Sequence, residues 1–124
     1  MTRDKKRKAN RFGHWGEYFA ILFLMVKGYS ILERRYKTKV GEIDIIAKKK
    51  NVTIFCEVKA RADFESAVYS LTEKQKLRIR KAAEHYMSHL KNTYQNNKIE
   101  NEIFRCDMIL IVPWRLPKHI ENAW

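Results

Sequence analysis

Asp44, Glu57 and Lys59 are the residues of this 124-residue chain whose types and spacing suit chemistry. Asp44 lies in GEIDIIA (41–47), and Glu57 and Lys59 lie in FCEVKAR (55–61). Residues two apart in a strand share a face, so Glu57 and Lys59 point one way and Cys56, Val58 and Ala60 the other. Asp44 precedes Glu57 by 13 residues across a short KKKN turn, a spacing that lets the carboxylates approach on adjacent strands. Two carboxylates held together repel, and one resists ionisation unless something compensates. A divalent cation does so. Hard oxygen ligands suit Mg²⁺ or Mn²⁺, with water and substrate phosphate completing the shell. Such a metal acidifies a bound water and offsets charge on an attacked phosphate. Lys59 would orient that water or neutralise the developing charge. Spacing alone also fits a solvated ion-pair cluster on a sheet face. Placement separates the two: these acids interrupt very apolar strands in a chain that is otherwise basic.

The elements that must position these residues follow from patterning. HWGEYFAILFLMVKG (14–28) reads as a helix with apolar residues around most of its circumference, which predicts burial on several sides. Gly28 after Lys27 is its expected stop. Strands are predicted at 29–36, 40–47 and 52–60, as an antiparallel meander. Residues 61–71 read as a polar connection. A helix follows at 72–91, with Ile79, Ala82, Ala83, Tyr86, Met87 and Leu90 at spacings of three and four. An Asn-rich loop at 92–102 leads to a fourth strand at 103–112, ended by Pro113. The closing WRLPKHIENAW segment has no clear assignment.

Composition bounds the answer. The length suits one domain. Hydrophobic residues make up 45% of the chain, enough for a packed core, and 4 Gly and 2 Pro exclude collagen-like or low-complexity classes. Cys56 and Cys106 cannot make a disulfide framework and are not at metal-ligand spacing; they read as reduced core residues of a cytoplasmic protein. The net charge of +12 points to an anionic partner. Residues 1–11 hold six bases and one acid, +5, and read as a flexible basic arm; the body, 12–124, keeps the other +7. The apolar run at 18–26 is far shorter than the roughly 20 residues of a membrane span, and no cleavage site follows it.

The combined motifs resemble the YraN-like family, small bacterial proteins of the PD-(D/E)XK restriction-endonuclease-like superfamily. WGEYFA, GYSILERRY, GEIDIIA, FCEVKAR, the basic second helix, FRCDMILI and HIENAW carry the likeness over roughly residues 12–124. It implies an α/β endonuclease-like core in the order α-β-β-β-α-β, with helices flanking a mixed sheet. It implies Asp44, Glu57 and the carbonyl of Val58 as metal ligands and Lys59 as the catalytic lysine. Glu17 matches an acid that some members bring to the metal, and Gln75 an active-site glutamine. Ile43 stands where the superfamily name has proline, and Ile79 where a RecB-like pattern has tyrosine.

Each of these residues also has a plainer reading. Glu17 suits a helix N-terminus, and Thr72-x-x-Gln75 is a capping-box pattern. Lys74, Arg78 and Lys81 form a basic helix face that either contacts phosphate, together with Arg61, or is merely solvated. His14, His85, His89 and His119 form no clear ligand set and read as surface or cleft-edge residues. Asp107 reads as structural, paired with an arginine. The three Trp residues read as packing residues before base-stacking ones. The expectation is a nucleic-acid-binding, Mg²⁺- or Mn²⁺-dependent nuclease acting on DNA rather than RNA, away from membranes, with a homodimer allowed. The alternative is a binding module on the same fold that turns nothing over.

Overall fold

The computed structural model describes residues 3–93 and 101–124, with side chains for 15–90 and 101–124. The elements run α1 (Arg3–Val26), β1 (Ser30–Lys37), β2 (Glu42–Lys49), β3 (Val52–Ala60), α2 (Phe64–Tyr69), α3 (Glu73–Thr93), β4 (Ile103–Ile111) and β5 (Lys118–Ile120). The strands make one mixed sheet in the order β1-β2-β3-β4-β5. Neighbours are antiparallel except β3 and β4, which run parallel. That parallel pair needs a crossover, supplied by α2 and α3.

The predicted strands and the second helix are present. α1 begins at Arg3, so its first turns take in the basic segment that the sequence sets apart. Its exit is fixed by Tyr29 N–H donating to Leu24 O and Gly28 N–H to Met25 O. α2 falls inside the segment expected as a plain connection. Asp63 caps it by accepting from Ser66 N–H at 2.7 Å, and these bonds hold the Asp63 carboxyl low. The unassigned C-terminal segment supplies β5 along the free edge of β4. Of the expected Asn-rich loop, residues 94–100 lie outside the described residues.

Two cores sandwich the sheet. On the α1 face, Ala20 and Leu24 pack on Ile45, Ala47, Ile54, Cys56 and Ile109. On the other, Ile79, Ala82 and Ala83 of α3 and Ala67 of α2 pack on Ile43, Ile46, Phe55, Met108 and Leu110. The apolar stripe predicted for α3 is thus the buried one. α1 departs from expectation. It buries one narrow stripe of small and medium residues, while Trp15, Tyr18, Phe19, Leu22, Met25 and Val26 stay exposed. A two-layer contact can cover only one side of a helix, whatever its composition.

Two glycines set how closely the helices approach. A Cβ on Gly16 would lie 3.1 Å from the Ala60 Cβ, so α1 rests tightly on the end of β3. A Cβ on Gly41 would collide with the Arg78 carbonyl, so α3 lies directly against the turn before β2. Glu17 follows the first contact. Gln75 and Arg78 flank the second.

Candidate active site

The β2–β3 hairpin positions the two acids. Its ladder runs from Lys49↔Val52 to Ile45↔Cys56. Asp44 and Glu57 would make the next rung, but the ladder has ended. The Val58 N–H donates instead to Asp44 Oδ2 at 2.9 Å. Asp44 and Glu57 hydrogen-bond to each other, which draws Asp44 down and Glu57 up. The gap in the ladder therefore holds two carboxyls at contact, in a largely buried place.

Their ionisation reflects that place. Burial first pushes Asp44 up to about 6; the nearby Glu17 charge adds to the rise, while the Val58 N–H and the Lys59 charge oppose it. Glu57 is pushed to about 8, by burial first and then by the Asp44 charge, with Lys59 working against both. Lys59 is itself only 7% exposed, with Nζ 3.4 Å from Glu57 Oε1. One ammonium does not satisfy two buried carboxylates.

Glu17 reaches the same neighbourhood from α1. Arg35 Nε donates to its Oε2 at 2.9 Å. Arg35 lies between Arg34, paired with Ile45, and Tyr36, paired with Ile43, and so stands across from Asp44. Its φ is 51°, the left-handed region that a bulky side chain rarely adopts. Nothing in the sequence marks Arg35; its role comes from a backbone kink within an edge strand.

On the α3 side, a recess of about 100 Å³ is lined by Glu42, Glu57, Gln75, Arg78 and Ile79. Gln75 belongs to both of its readings. It closes the capping box, with Thr72 N–H donating to its Oε1 at 3.0 Å and its own N–H donating to Thr72 Oγ1 at 3.1 Å. Its side chain also walls the recess beside Glu57. Glu42 is an acid missed in the sequence, although it lies two residues before Asp44 in the same motif. Lys74 and Lys81 are exposed on α3 and are not part of this recess. Arg61 is tethered elsewhere: its N–H donates to Ile111 O and its Nη1 to Ala60 O.

Asp44, Glu57 and the backbone at Val58 form an oxygen-rich set that suits a hard divalent cation. Mg²⁺ commonly takes one or two carboxylates and keeps water or phosphate for the rest. Among the described residues, no three His, Cys, Asp or Glu side chains come together as a full cage. An open two-carboxylate seat leaves positions for water or substrate on a cation, and the raised carboxyls are offset either by a proton or by such a cation.

The histidine reading needs one correction. His119 is not a surface residue. Its Nε2 is 2.7 Å from Asp107 Oδ2, and Lys27 Nζ is 2.7 Å from its Nδ1. An ionised carboxylate only accepts, so Nε2 donates to it and Nδ1 accepts from the lysine. Arg105 donates to Asp107 as well, from Nε at 2.8 Å and Nη2 at 2.9 Å, as does Asn122 N–H at 2.9 Å. Asp107 is structural and arginine-paired, as its sequence context suggests. The partners joined to it come from chain positions too far apart to be read in advance.

The fold and site define a mixed α/β domain with a buried carboxylate pair and lysine at the end of a hairpin. The model of the uncharacterised protein family UPF0102 matches residues 16–111. A UPF0102 protein of Agrobacterium fabrum is 42% identical over 98% of this chain and 94% of its own length. A Rhizobium meliloti relative is 39% identical over 97% and 93%, and one from Brucella canis 40% identical over 95% and 89%. The chain belongs to the UPF0102 family, the YraN-like family of the resemblance above. Among the described residues, no helix is long and apolar enough to cross a membrane.

Proposed function

We propose that this protein is a divalent-metal-dependent nuclease of restriction-endonuclease-like fold that binds DNA and hydrolyses its phosphodiester bonds. The observation that carries the reading is the Asp44–Glu57 pair, buried, in contact and short of positive charge at the point where the β2–β3 ladder opens. The element order, apart from the added α2 and β5, agrees with the α-β-β-β-α-β order that the resemblance implies, which supports the reading. Asp44, Glu57 and the Val58 carbonyl would hold Mg²⁺ or Mn²⁺. When bound, the cation supplies Lewis acidity at the scissile phosphate.

The chain's own residues do the rest. Lys59, fixed beside Glu57, holds the attacking water and steadies negative charge as it develops. Arg78, exposed at the mouth of the recess, grips a phosphate oxygen. Gln75 fixes the orientation of what enters. Glu17, held by Arg35, lies near enough to add its negative charge to the field at the pair. Lys74 and Lys81 extend the phosphate track along α3, giving sequence-independent, salt-sensitive binding.

A second reading has one observation in its favour: Glu17 is engaged by Arg35, leaving two acids for the cation. On that reading the protein binds nucleic acid without cutting it. The discriminating experiment incubates the purified protein with single-stranded, duplex and branched DNA and with RNA, in Mg²⁺, Mn²⁺ or EDTA. Metal-dependent cleavage that Asp44→Ala, Glu57→Ala and Lys59→Ala each abolish is the expected result. Binding without cleavage on every substrate selects the second reading. Cleavage that survives all three substitutions rejects this site.

A further inference from the structure

α1 turns an apolar face to solvent on the side opposite Ala20 and Leu24. At 3.6 residues per turn, Trp15, Phe19, Leu22 and Val26 line up along it, with Tyr18 and Met25 on the flank. Trp15 is 63% exposed and Val26 88% exposed. A helix apolar on every side is normally covered on every side. The patch continues into a groove of about 450 Å³ between α1 and the connection at 113–117, lined by Trp15, Phe19, Val112, Trp114 and Leu116. The Trp114 ring stands fully exposed at this groove, on a backbone with φ of 64°. That left-handed conformation is an outlier for a bulky side chain. In the lone chain it holds an indole out in water.

We propose that this surface is the interface of a homodimer, with α1 of one copy packed antiparallel on α1 of the other and each Trp114 covering the partner's groove. Three features select a second copy of this chain as the occupant. The first is area: the exposed aromatic and aliphatic side chains present roughly 1,000 Å² of apolar surface, above the ~800 Å² per partner of a standard interface. The second is self-complementarity. A protruding ring beside a groove on one surface is what a two-fold interface requires, since each copy offers both halves of the contact. The third is charge. The chain carries +12, yet among the described residues Arg115 is the one charged residue lining the groove. Antiparallel packing sends the basic first turns of the two α1 helices to opposite ends of a 24-residue helix, about 36 Å long.

The charge argument gives the interface a signature. Two cationic copies held by apolar contact associate more tightly as salt rises, because screening removes their repulsion. A nucleic acid or an anionic bilayer on the same patch would bind more weakly as salt rises. The test is sedimentation equilibrium of the full chain at about 50 mM and about 500 mM salt. Twice the chain mass is expected, with tighter association at the higher salt. Leu22→Asp and Trp114→Ala should each weaken the dimer at least tenfold. Trp114 lies on a connection with its ring in solvent, so a change in mass on its removal does not come from unfolding; circular dichroism checks the same for Leu22→Asp. A monomer at roughly 100 µM overturns the proposal, as does a dimer that both substitutions leave intact. So does a monomer that binds phosphatidylglycerol vesicles through Leu22, since the patch would then face lipid.

Discussion

Two buried carboxylate clusters in this molecule have opposite ionisation. Asp107 is 0% exposed to solvent, less than either acid of the hairpin site. Burial works to raise its pKa, but the bonds from His119, Arg105 and Asn122 outweigh it and hold the carboxyl below the usual range. Asp44 and Glu57 are buried less completely and lie well above theirs. Solvent exposure alone therefore does not decide the difference. Supply of donors does. Around Asp107 the fold provides a cation and several N–H groups on all sides. At Asp44 and Glu57 it provides one backbone N–H and one lysine for two acids. A fully satisfied buried network fastens structure, whereas a starved one keeps electrostatic potential for something that binds.

The largest expected effect breaks the satisfied cluster. Asp107→Ala leaves the donors of Arg105, His119 and Asn122 without their shared acceptor, with Glu121 at 3.7 Å still an ion-pair partner of Arg105, and should cost about 3 kcal/mol in chemical denaturation. The same removal at the starved cluster should behave differently. Glu57→Gln should be near neutral in stability at about pH 4, where Glu57 is protonated in both the folded and the unfolded chain. It should gain about 1–2 kcal/mol at pH 9, where the wild-type group must ionise, while metal affinity is lost. A Glu57→Gln variant less stable than wild type at pH 9 would contradict the raised carboxyl.

The wild-type pH profile sharpens the contrast, because the signs oppose. A lowered acid contributes stability above its unfolded pKa and loses it as pH falls through the folded value, so Asp107, with the Asp63 cap, contributes to the acid limb. Raised acids contribute stability present below their unfolded values, near 4, and lost as pH climbs through about 6 and about 8. The metal-free melting temperature should therefore fall between pH 5 and pH 9. Mg²⁺ or Mn²⁺ should flatten that fall, since cation binding displaces the proton. An alkaline limb unmoved by metal would detach the pair from cation binding. The smallest effect tests Arg35. Replacing Arg35 with Gly relieves the left-handed backbone and should stabilise by up to about 1 kcal/mol, even though a partly exposed ion pair is lost. It should also tighten Mn²⁺ binding, read by calorimetry, because it removes a positive charge beside the pair and frees the Glu17 carboxylate.

Much of this was legible before the fold. The strands carry runs of β-branched residues, α3 has its three-and-four spacing, and the 13-residue interval between Asp44 and Glu57 places them across a hairpin. Local pattern is enough for such features. α2 was hidden because six residues hold too little periodicity, although the Asp63 cap was there to be read. β5 is three residues long and exists through its pairing with β4. The Lys27–His119–Asp107 chain joins positions 92 residues apart, and nothing local announces it. The exposure of α1 cannot be read from composition, which tells which residues prefer burial but not how many sides the fold can cover.

The hairpin has a kinetic consequence. Its strands are joined by two residues, Lys50 and Asn51, with Lys50 left-handed at φ 56° as tight hairpin turns demand. Such a unit closes in roughly 1–10 µs. The β3–β4 pairing, from Val52↔Ile103 onward, must wait for a loop of some fifty residues to close, and the Asp107 cluster waits with it. Asp44 and Glu57 therefore face each other early in folding, while the fastening around Asp107 is completed among the last steps. Substitutions near the hairpin turn should slow refolding, and those at His119 should chiefly speed unfolding.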